Sequence, residues 1–220
     1  ALPDAPVVQA CIEQASAALG EDVRLLDSAA ALQDTRAVQL CLLIAGVAAA
    51  RLLGERAHRP DYVAGLSIGA YAAAVVADAL DFADAVRLVA LRGELMQRAY
   101  PHGYGMTAIL GLDQARIEGL LADAEGPVYL ANINAETQLV IAGSDAAMAR
   151  LAEHARALGA GAAKRLAMSV PSHCELLAAP ARELAAAFAQ VELRAPQVRY
   201  LSGSSARLIR DPETLRDDLA

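Results

Sequence analysis

This 220-residue sequence has few aromatic side chains, few cysteines and no long run of positive charge. Phe, Tyr and Trp together make up 4% of it, while hydrophobic residues reach 56%, a composition that favours helices around a sizeable core. The formal net charge of -7 argues against binding to nucleic acid or to an anionic membrane surface. No apolar stretch free of charges is long enough to span a membrane. The first residues do not resemble a signal peptide, because no basic segment precedes an apolar run.

The three cysteines, Cys11, Cys41 and Cys174, are too few and too scattered for a disulfide framework or a zinc site. They predict a reducing, cytoplasmic setting. The sequence also lacks a Walker-type phosphate loop and a cluster of metal ligands. It starts at Ala1 without an initiator Met and ends at Ala220 inside a predicted helix, so we expect it to be a portion of a longer protein.

The most informative feature that is present is the pentapeptide Gly65-Leu66-Ser67-Ile68-Gly69, which fits the G-x-S-x-G pattern of a nucleophile elbow. Residues 62–64 before it resemble the end of a short strand, and residues 70–80 after it resemble an Ala/Val-rich helix. This context predicts a sharp turn that presents the Ser67 hydroxyl at a helix N-terminus, with both glycines allowing close backbone approach. The alternative is a Gly-Ser turn between two core elements.

The organisation around the elbow predicts an α/β fold. Residues 5–19 and 37–53 are helical by periodicity, and Asp81 is the predicted N-cap of a helix that reaches about Arg98. After a Gly/Pro loop at 101–105, the predicted elements are a strand at 106–112, a helix at 113–124, strands at 128–133 and 139–142, a helix at 144–158, a strand at 164–170 and a helix at 183–189. This β-α-β-β-α-β order is the ferredoxin-like split motif.

We therefore predict two domains. Residues 1–104 and 171–220 form a larger α/β hydrolase-like domain that carries the elbow and is incomplete at both ends. Residues 105–170 form a small ferredoxin-like domain that is inserted into it.

A serine nucleophile needs a base, and the sequence offers four histidines. His58 and His102 lie in predicted loops, and His154 lies in a charged helix. His173 directly follows a predicted strand, in Val170-Pro171-Ser172-His173-Cys174, and is the candidate base because loops on a rigid scaffold often carry catalytic groups. The alternative is a histidine near the start of the next helix without a chemical role.

Arg92 is the next unusual residue, because its neighbours at i-4, i-3, i+3 and i+4 are all apolar. Its fork of donors would fit a substrate carboxylate near Ser67. The alternative is a surface arginine that extends its side chain to solvent.

Asn132 and Asn134 alternate along a strand-like segment, so both side chains can point to one face. They either line a cleft beside the elbow or, as the slightly favoured interpretation, form a turn at the end of that strand.

Four blocks of the sequence together resemble the malonyl-CoA:acyl-carrier-protein transacylase family. They are the elbow, the helix segment from Asp81 to Val89 followed by Leu91-Arg92-Gly93, the predicted hairpin Asn132-Ile133-Asn134 with residues 138–143, and the segment Val170 to Cys174. Their order is specific, and the resemblance spans nearly the whole chain.

This resemblance implies an enzyme that takes a malonyl group from malonyl-CoA onto a serine and passes it to the thiol of a carrier protein's prosthetic arm. It implies that Ser67 is the nucleophile, His173 the base, Arg92 the clamp for the malonyl carboxylate and the Ile68 N–H an oxyanion donor. It also implies no bound cofactor, since coenzyme A thioester and the phosphopantetheine-type arm are substrates. The missing triad acid fits a histidine oriented by main-chain carbonyls.

The sequence departs from the family pattern at two positions of the elbow: Leu66 replaces the usual His, and Ala70 replaces the usual acid. This variant resembles most closely the transacylase subunit of malonate decarboxylase, which would add other subunits of that enzyme as partners. The family's N-terminal Gly-Gln-Gly segment, whose Gln supplies a second oxyanion contact, is not in this sequence, nor is its C-terminal part.

Three alternatives stay open at this point. One is the malonyl transacylase of fatty-acid synthesis, and a second is an α/β-hydrolase-type serine esterase, which would place an acid between the serine and the histidine. The third is a subunit that docks a carrier protein without turnover.

Overall fold

The computed structural model describes residues 2–220. In chain order the helices are α1 (Pro6–Leu19), α2 (Thr35–Glu55), α3 (Gly69–Val76), α4 (Phe82–Ala99), α5 (Gln114–Ala122), α6 (Asp145–Ala157), α7 (Ala178–Phe188) and α8 (Pro212–Leu219). The strands are β1 (Tyr62–Ala64), β2 (Tyr104–Leu110), β3 (Val128–Ala135), β4 (Gln138–Ser144), β5 (Ala162–Arg165), β6 (Arg199–Leu201) and β7 (Leu208–Ile209). Short 3-10 turns occupy Val23–Leu26, Ala31–Gln33 and Glu175–Leu177.

The chain forms two compact units. One comprises the residues up to Glu94 together with Arg182–Ala220, and the other comprises Leu95–Ala181. The domain boundaries predicted from the sequence, 1–104 with 171–220 and 105–170, stay a prediction.

Capping side chains explain where several helices begin. The Asp34 carboxylate accepts a hydrogen bond of 2.7 Å from the Arg36 N–H at the start of α2. The predicted cap Asp81 accepts one of 2.9 Å from the Ala83 N–H at the start of α4, so that prediction is confirmed. These bonds satisfy donors that the first turn of a helix leaves without partners.

The first unit contains a three-stranded sheet in the order β1-β6-β7. Strands β1 and β6 are parallel, with Val63 opposite Tyr200, while β6 and β7 are antiparallel. Helix α2 packs against α1 and α3. The buried Tyr71 of α3 lies 5.8 Å from Phe188, measured between ring centroids. The sheet and these helices fix the strand end from which the elbow departs.

Helix α2 is, among the described residues, the one helix that is long and apolar enough to cross a membrane by length and composition alone. It carries Arg36 near one end and Arg51 near the other. Its side chains Leu40, Leu43 and Val47 are buried in the first unit. Packing within the fold therefore accounts for part of its high hydropathy, while Leu42 and Leu53 of the same helix are exposed.

The second unit has the element order β2-α5-β3-β4-α6-β5, and its antiparallel sheet has the strand order β3-β4-β2-β5. One face of the sheet packs with α5 and α6 around a core of buried residues that includes Ile109, Leu139 and Met148. A smaller cluster centred on Met106 and Val140 is packed by further apolar side chains. The β-α-β-β-α-β order predicted from the sequence is therefore present.

Several predicted elements have other bounds in the structure; helix α7, for example, begins at Ala178 instead of residue 183. Helix α3 ends at Val76 instead of residue 80, and the predicted strand 164–170 is replaced by β5, Ala162–Arg165, followed by an irregular segment. Strand β3 extends to Ala135 and contains both Asn132 and Asn134, so the interpretation of these two as turn formers is wrong. The pairing of β3 with β4 shifts register twice, between Leu130 and Asn132 and between Ile133 and Ala135, which the sequence pattern did not indicate.

The three cysteines are free thiols. Cys11 is buried, and Cys41 and Cys174 are half-buried. Burial raises the pKa of all three thiols, as expected for packed rather than reactive side chains. The reducing, cytoplasmic setting stays a prediction.

Candidate active site

The predicted elbow is a sharp turn between strand β1 and helix α3. Ser67 has a φ of +54°, in the left-handed region that residues with a side chain rarely adopt. Such backbone strain persists only where the surroundings hold it, and it is typical of functional sites. Two residues later α3 begins, so the Ile68 N–H lies at a helix N-terminus, where N–H groups have no intrahelical partner. The Gly69 N–H instead donates to the Leu66 carbonyl oxygen at 3.0 Å.

The two glycines of the motif have different roles. A Cβ on Gly65 would lie 2.0 Å from the Gly69 carbonyl carbon, so only glycine fits at this position. A Cβ on Gly69 would meet nothing within 4 Å. The expectation that both glycines are needed for close backbone approach is therefore wrong for Gly69. Gly203, after β6, adds a second close approach, because its Cβ would lie 2.5 Å from the Gly65 carbonyl oxygen.

Arg92 lies on α4 with its guanidinium beside Ser67. Its Nη2 donates to the Ser67 Oγ at 3.5 Å, and its Nη1 donates to the Gln39 Oε1. The side chain is half-buried, and burial lowers the pKa of Arg92 while the nearby Tyr71 opposes that shift. Both hydrogen-bond partners are uncharged. The structure thus brings together the two residues that the sequence proposed as nucleophile and carboxylate clamp.

Gln39 is the residue of this site that sequence reasoning missed. It lies on α2, has an exposed fraction of 6%, and its Nε2 donates to the Thr35 Oγ1 at 3.3 Å. Its signal was a polar side chain within an otherwise apolar helix, the same criterion that identified Arg92. No pattern along the chain, however, links residue 39 to residue 92.

Gly93 explains how α4 comes so close to α2. A Cβ on Gly93 would lie 2.4 Å from the Arg36 Cα, which is backbone and has little freedom to move. The absence of that Cβ lets the two helices cross within reach of the hydrogen bond between Arg92 and Gln39. Gly93 therefore allows the close approach of the two helices, and Arg92 beside it uses that approach to reach Gln39.

Tyr71, on α3 and four residues after Ser67, is a further polar group near Arg92. Its hydroxyl donates to the Leu219 carbonyl oxygen at 2.9 Å. Burial raises the pKa of Tyr71 to about 12, and the charge of Arg92 lowers it. The phenol therefore remains neutral at physiological pH and does not compensate the charge of the guanidinium.

His173 belongs to the second unit. It is exposed and has a φ of +59°, so it shares with Ser67 a strained left-handed backbone. The preceding Ser172 is buried, and the following Cys174 donates through its Sγ to the Pro171 carbonyl oxygen at 3.3 Å. The role of His173 as a base stays a prediction.

The other residues that the sequence singled out lie in both units. His102, His154, Asn132 and Asn134 belong to the second unit, and a cleft beside the elbow lined by the two asparagines stays a prediction. His58 is exposed and lies before β1, at the opposite end of that strand from the elbow. Among residues 2–220, no group of three or more His, Cys, Asp or Glu side chains could hold a metal ion.

Comparison with known proteins gives consistent results. The family model described as "Acyl transferase domain" matches residues 2–217. Proteins of Escherichia coli K12 and Haemophilus influenzae, both named malonyl CoA-acyl carrier protein transacylase, are each 40% identical to this chain over 97% of its length, covering 72% and 71% of their own.

Solved structures agree with the sequence relatives. The malonyl CoA-acyl carrier protein transacylase of Coxiella burnetii has a TM-score of 0.94 at 37% identity, over 98% of this chain and 70% of that one. A malonyl-transacylase in complex with a type II PKS acyl-carrier protein has a TM-score of 0.92 at 37% identity, over 98% and 72%. The chain is therefore an acyltransferase that belongs to the malonyl-CoA:acyl-carrier-protein transacylase family.

Proposed function

We propose that this chain moves a malonyl group from malonyl-CoA to the prosthetic-group thiol of an acyl carrier protein through a malonyl-Ser67 intermediate. The observation that carries the proposal is the half-buried Arg92 guanidinium, 3.5 Å from the Ser67 Oγ and hydrogen-bonded to uncharged partners. A cation in such a setting favours an anionic partner, and a carboxylate matches its fork of donors. Malonyl-CoA brings a carboxylate to the serine, whereas acetyl-CoA does not.

In the proposed reaction, the Ser67 Oγ attacks the thioester carbonyl of malonyl-CoA while His173 takes its proton as general base. The Ile68 N–H, at the start of α3, stabilises the oxyanion that forms. The C–S bond then breaks, the proton passes from His173 to the departing thiolate, and free coenzyme A leaves. The carrier thiol reverses these steps: it attacks the malonyl ester, and the Ser67 oxygen regains its proton.

The strain at both reacting residues supports these roles. Ser67 and His173 each have a positive φ, which costs a residue with a side chain of order 1–3 kcal/mol and persists where function requires it. The Gly65 and Gly203 contacts hold the turn that carries Ser67. An oriented nucleophile lowers the entropy cost of reaction, because little motion remains to be frozen in the transition state.

The relatives support a malonyl transacylase of the fatty-acid-synthesis type better than a malonate decarboxylase subunit. The proteins of E. coli and H. influenzae are named malonyl CoA-acyl carrier protein transacylases, and one similar structure contains a type II PKS acyl-carrier protein. The closeness to malonate decarboxylase rested on Leu66 and Ala70 alone. Leu66 is 61% exposed, so packing within the fold does not explain why a leucine stands at this position.

We also propose that the first unit is the α/β hydrolase-like domain and the second the ferredoxin-like domain. The parallel pairing of β1 with β6 beside the elbow supports the first assignment. The strand order β3-β4-β2-β5 and the element order β-α-β-β-α-β support the second.

The proposal is tested by mixing the full-length protein with malonyl-CoA and following its intact mass before and after a holo acyl carrier protein is added. A transacylase gains one malonyl group and loses it to the carrier's thiol. Release of malonate without a carrier would identify an esterase, and no gain of mass would identify a docking subunit. Adding the carrier protein of malonate decarboxylase in parallel tests which carrier accepts the group.

A further inference from the structure

The segment that leads to His173 has irregular backbone where the sequence predicted a strand. From residue 166 to residue 172 no strand or helix is formed, and the Leu166 N–H donates to the Met106 carbonyl oxygen at 2.9 Å. The Met168 N–H turns back to the Leu166 carbonyl oxygen at 2.8 Å. Such a segment leaves carbonyl groups that no sheet ladder satisfies, and it ends at the strained His173.

Arg165, the last residue of β5, satisfies these carbonyl groups with its side chain. Its Nη1 donates to the carbonyl oxygens of Leu166 and Met168, each at 2.8 Å, and to that of Met106 at 3.2 Å. Its Nη2 donates to the Tyr104 carbonyl oxygen at 2.6 Å. One guanidinium thus joins the irregular segment to the first residues of strand β2.

Asp145 at the start of α6 completes the arrangement. Its Oδ1 accepts from the Arg165 Nε at 3.2 Å and from Nη2 at 2.9 Å. The two side chains are 39% and 53% exposed, so the ion pair by itself contributes little to stability. Its effect is to fix the rotation of the planar guanidinium, which directs the other donors at the carbonyl groups.

The guanidinium of Arg165 lies directly against Gly105 of strand β2, where a side chain would otherwise stand. A Cβ at this position would lie 2.0 Å from the Arg165 Nη2 and 2.3 Å from its Nη1. The atoms that it would strike are the far end of a side chain, which can move away. Gly105 therefore leaves room for the guanidinium, which a larger residue there would displace without removing Arg165. Because the φ of Gly105 is +158°, which residues with a side chain rarely adopt, Gly105→Ala also strains the backbone and supports the test only beside the two Arg165 variants.

We propose that Arg165 is a positioning residue for the reaction: by holding the carbonyl groups of residues 166–168 on strand β2, it fixes the backbone that presents His173. The apolar side chains Leu166 and Met168, which pack against the cluster around Met106, hold the same segment through side-chain contacts. This inference rests on the proposed role of His173 as base. It assigns to Arg165 no contact with substrate.

The test uses the full-length protein with Arg165→Lys, Arg165→Ala and Gly105→Ala, and with Arg116→Ala as the matched control. Arg116 is an exposed arginine of the same unit whose Nε lies 4.0 Å from the Asp113 Oδ2. Two quantities are measured in each variant: amide hydrogen exchange over residues 166–173, and the rate of acylation by malonyl-CoA as a function of its concentration.

We expect all three variants to speed amide exchange in this segment about tenfold, since hydrogen bonds that hold it are lost. The maximal acylation rate should fall on the order of 10²-fold with KM for malonyl-CoA little changed, because a base displaced by about 1 Å costs that much. Lysine should not rescue, because one ammonium group cannot reach carbonyl groups on both sides. Arg116→Ala should resemble the wild type in both measurements.

Two results would overturn the proposal. A rise in KM with an unchanged maximal rate would make Arg165 a substrate contact, and unchanged exchange in the segment would show that Arg165 does not hold it, whatever happens to the rate. Failure of the proposed function is distinguishable from both. If the wild type forms no malonyl enzyme, the function falls, and the exchange measurement alone still decides whether Arg165 holds the segment.

Discussion

Replacing Arg92 by methionine removes the guanidinium beside Ser67 while it keeps an unbranched side chain on α4. If Arg92 holds the malonyl carboxylate, Arg92→Met should lower kcat/KM for malonyl-CoA and leave acetyl-CoA almost unaffected, because acetyl-CoA has no carboxylate. Selectivity for malonyl-CoA should therefore collapse or invert. Arg92→Lys should restore little, since an ammonium group lacks the planar fork that binds both carboxylate oxygens.

The expected size of the loss follows from the surroundings of Arg92. Truncating one member of a buried charge pair costs about 2–5 kcal/mol, and each 1.36 kcal/mol is tenfold in rate, so the loss is roughly 30-fold to several thousand-fold. Because Arg92 is half-buried, we expect a value in the lower part of that range. The hydrogen bond that Gln39 accepts from Arg92 is also lost, at a cost of roughly 1.5–3 kcal/mol of stability.

The assay is kcat/KM for malonyl-CoA and acetyl-CoA in the wild type and in each variant, at a temperature well below every variant's Tm. The matched control is Arg87→Met on the same helix, an arginine that is 54% exposed and paired with Asp84 at 2.7 Å. It should behave as the wild type with both thioesters. Equal losses for malonyl-CoA and acetyl-CoA in Arg92→Met would show that Arg92 is structural, and carboxylate recognition would fall.

Three further predictions follow from the same site. Gln39→Leu, which removes the acceptor that orients Arg92, should lower kcat/KM for malonyl-CoA about tenfold but not that for acetyl-CoA; equal effects on both thioesters would contradict the orienting role. Gly65→Ala should abolish folding or acylation, whereas Gly69→Ala should be tolerated, as thermal unfolding and acylation rates will show; similar behaviour of the two variants would refute the steric argument. His173→Ala should keep the fold by circular dichroism and slow acylation on the order of 10²-fold or more, and unchanged kinetics would remove His173 from the mechanism.

The elbow and the second unit show what the sequence makes predictable. The strand before Ser67, the cap at Asp81 and the order of elements in the second unit depend on local periodicity and capping, and all of them are found in the structure. Local signals act within a few residues of the chain, so short windows of sequence contain them.

Two features could not be predicted because they depend on contacts distant in the chain. Gln39 meets Arg92 only because Gly93 lets α4 approach α2, a fact of tertiary packing. The segment after β5 had the composition of a strand, but the Arg165 side chain satisfies its carbonyl groups in place of a neighbouring strand. In the elbow, Leu66 and Ala70 suggested a malonate decarboxylase subunit. These are two positions in one turn, whereas the identity of 40% to a malonyl CoA-acyl carrier protein transacylase extends over 97% of the chain and is the stronger evidence.

The proposed reaction requires that Ser67 accepts a malonyl group and gives it to a carrier thiol. The most direct measurement is a pulse of isotopically labelled malonyl-CoA, peptide mass spectrometry of the full-length protein, and a chase with holo acyl carrier protein. We expect a labelled malonyl ester on Ser67, no label in Ser67→Ala, and transfer of the label to the carrier's thiol during the chase. Label on another residue, or label that leaves only as free malonate, would contradict it.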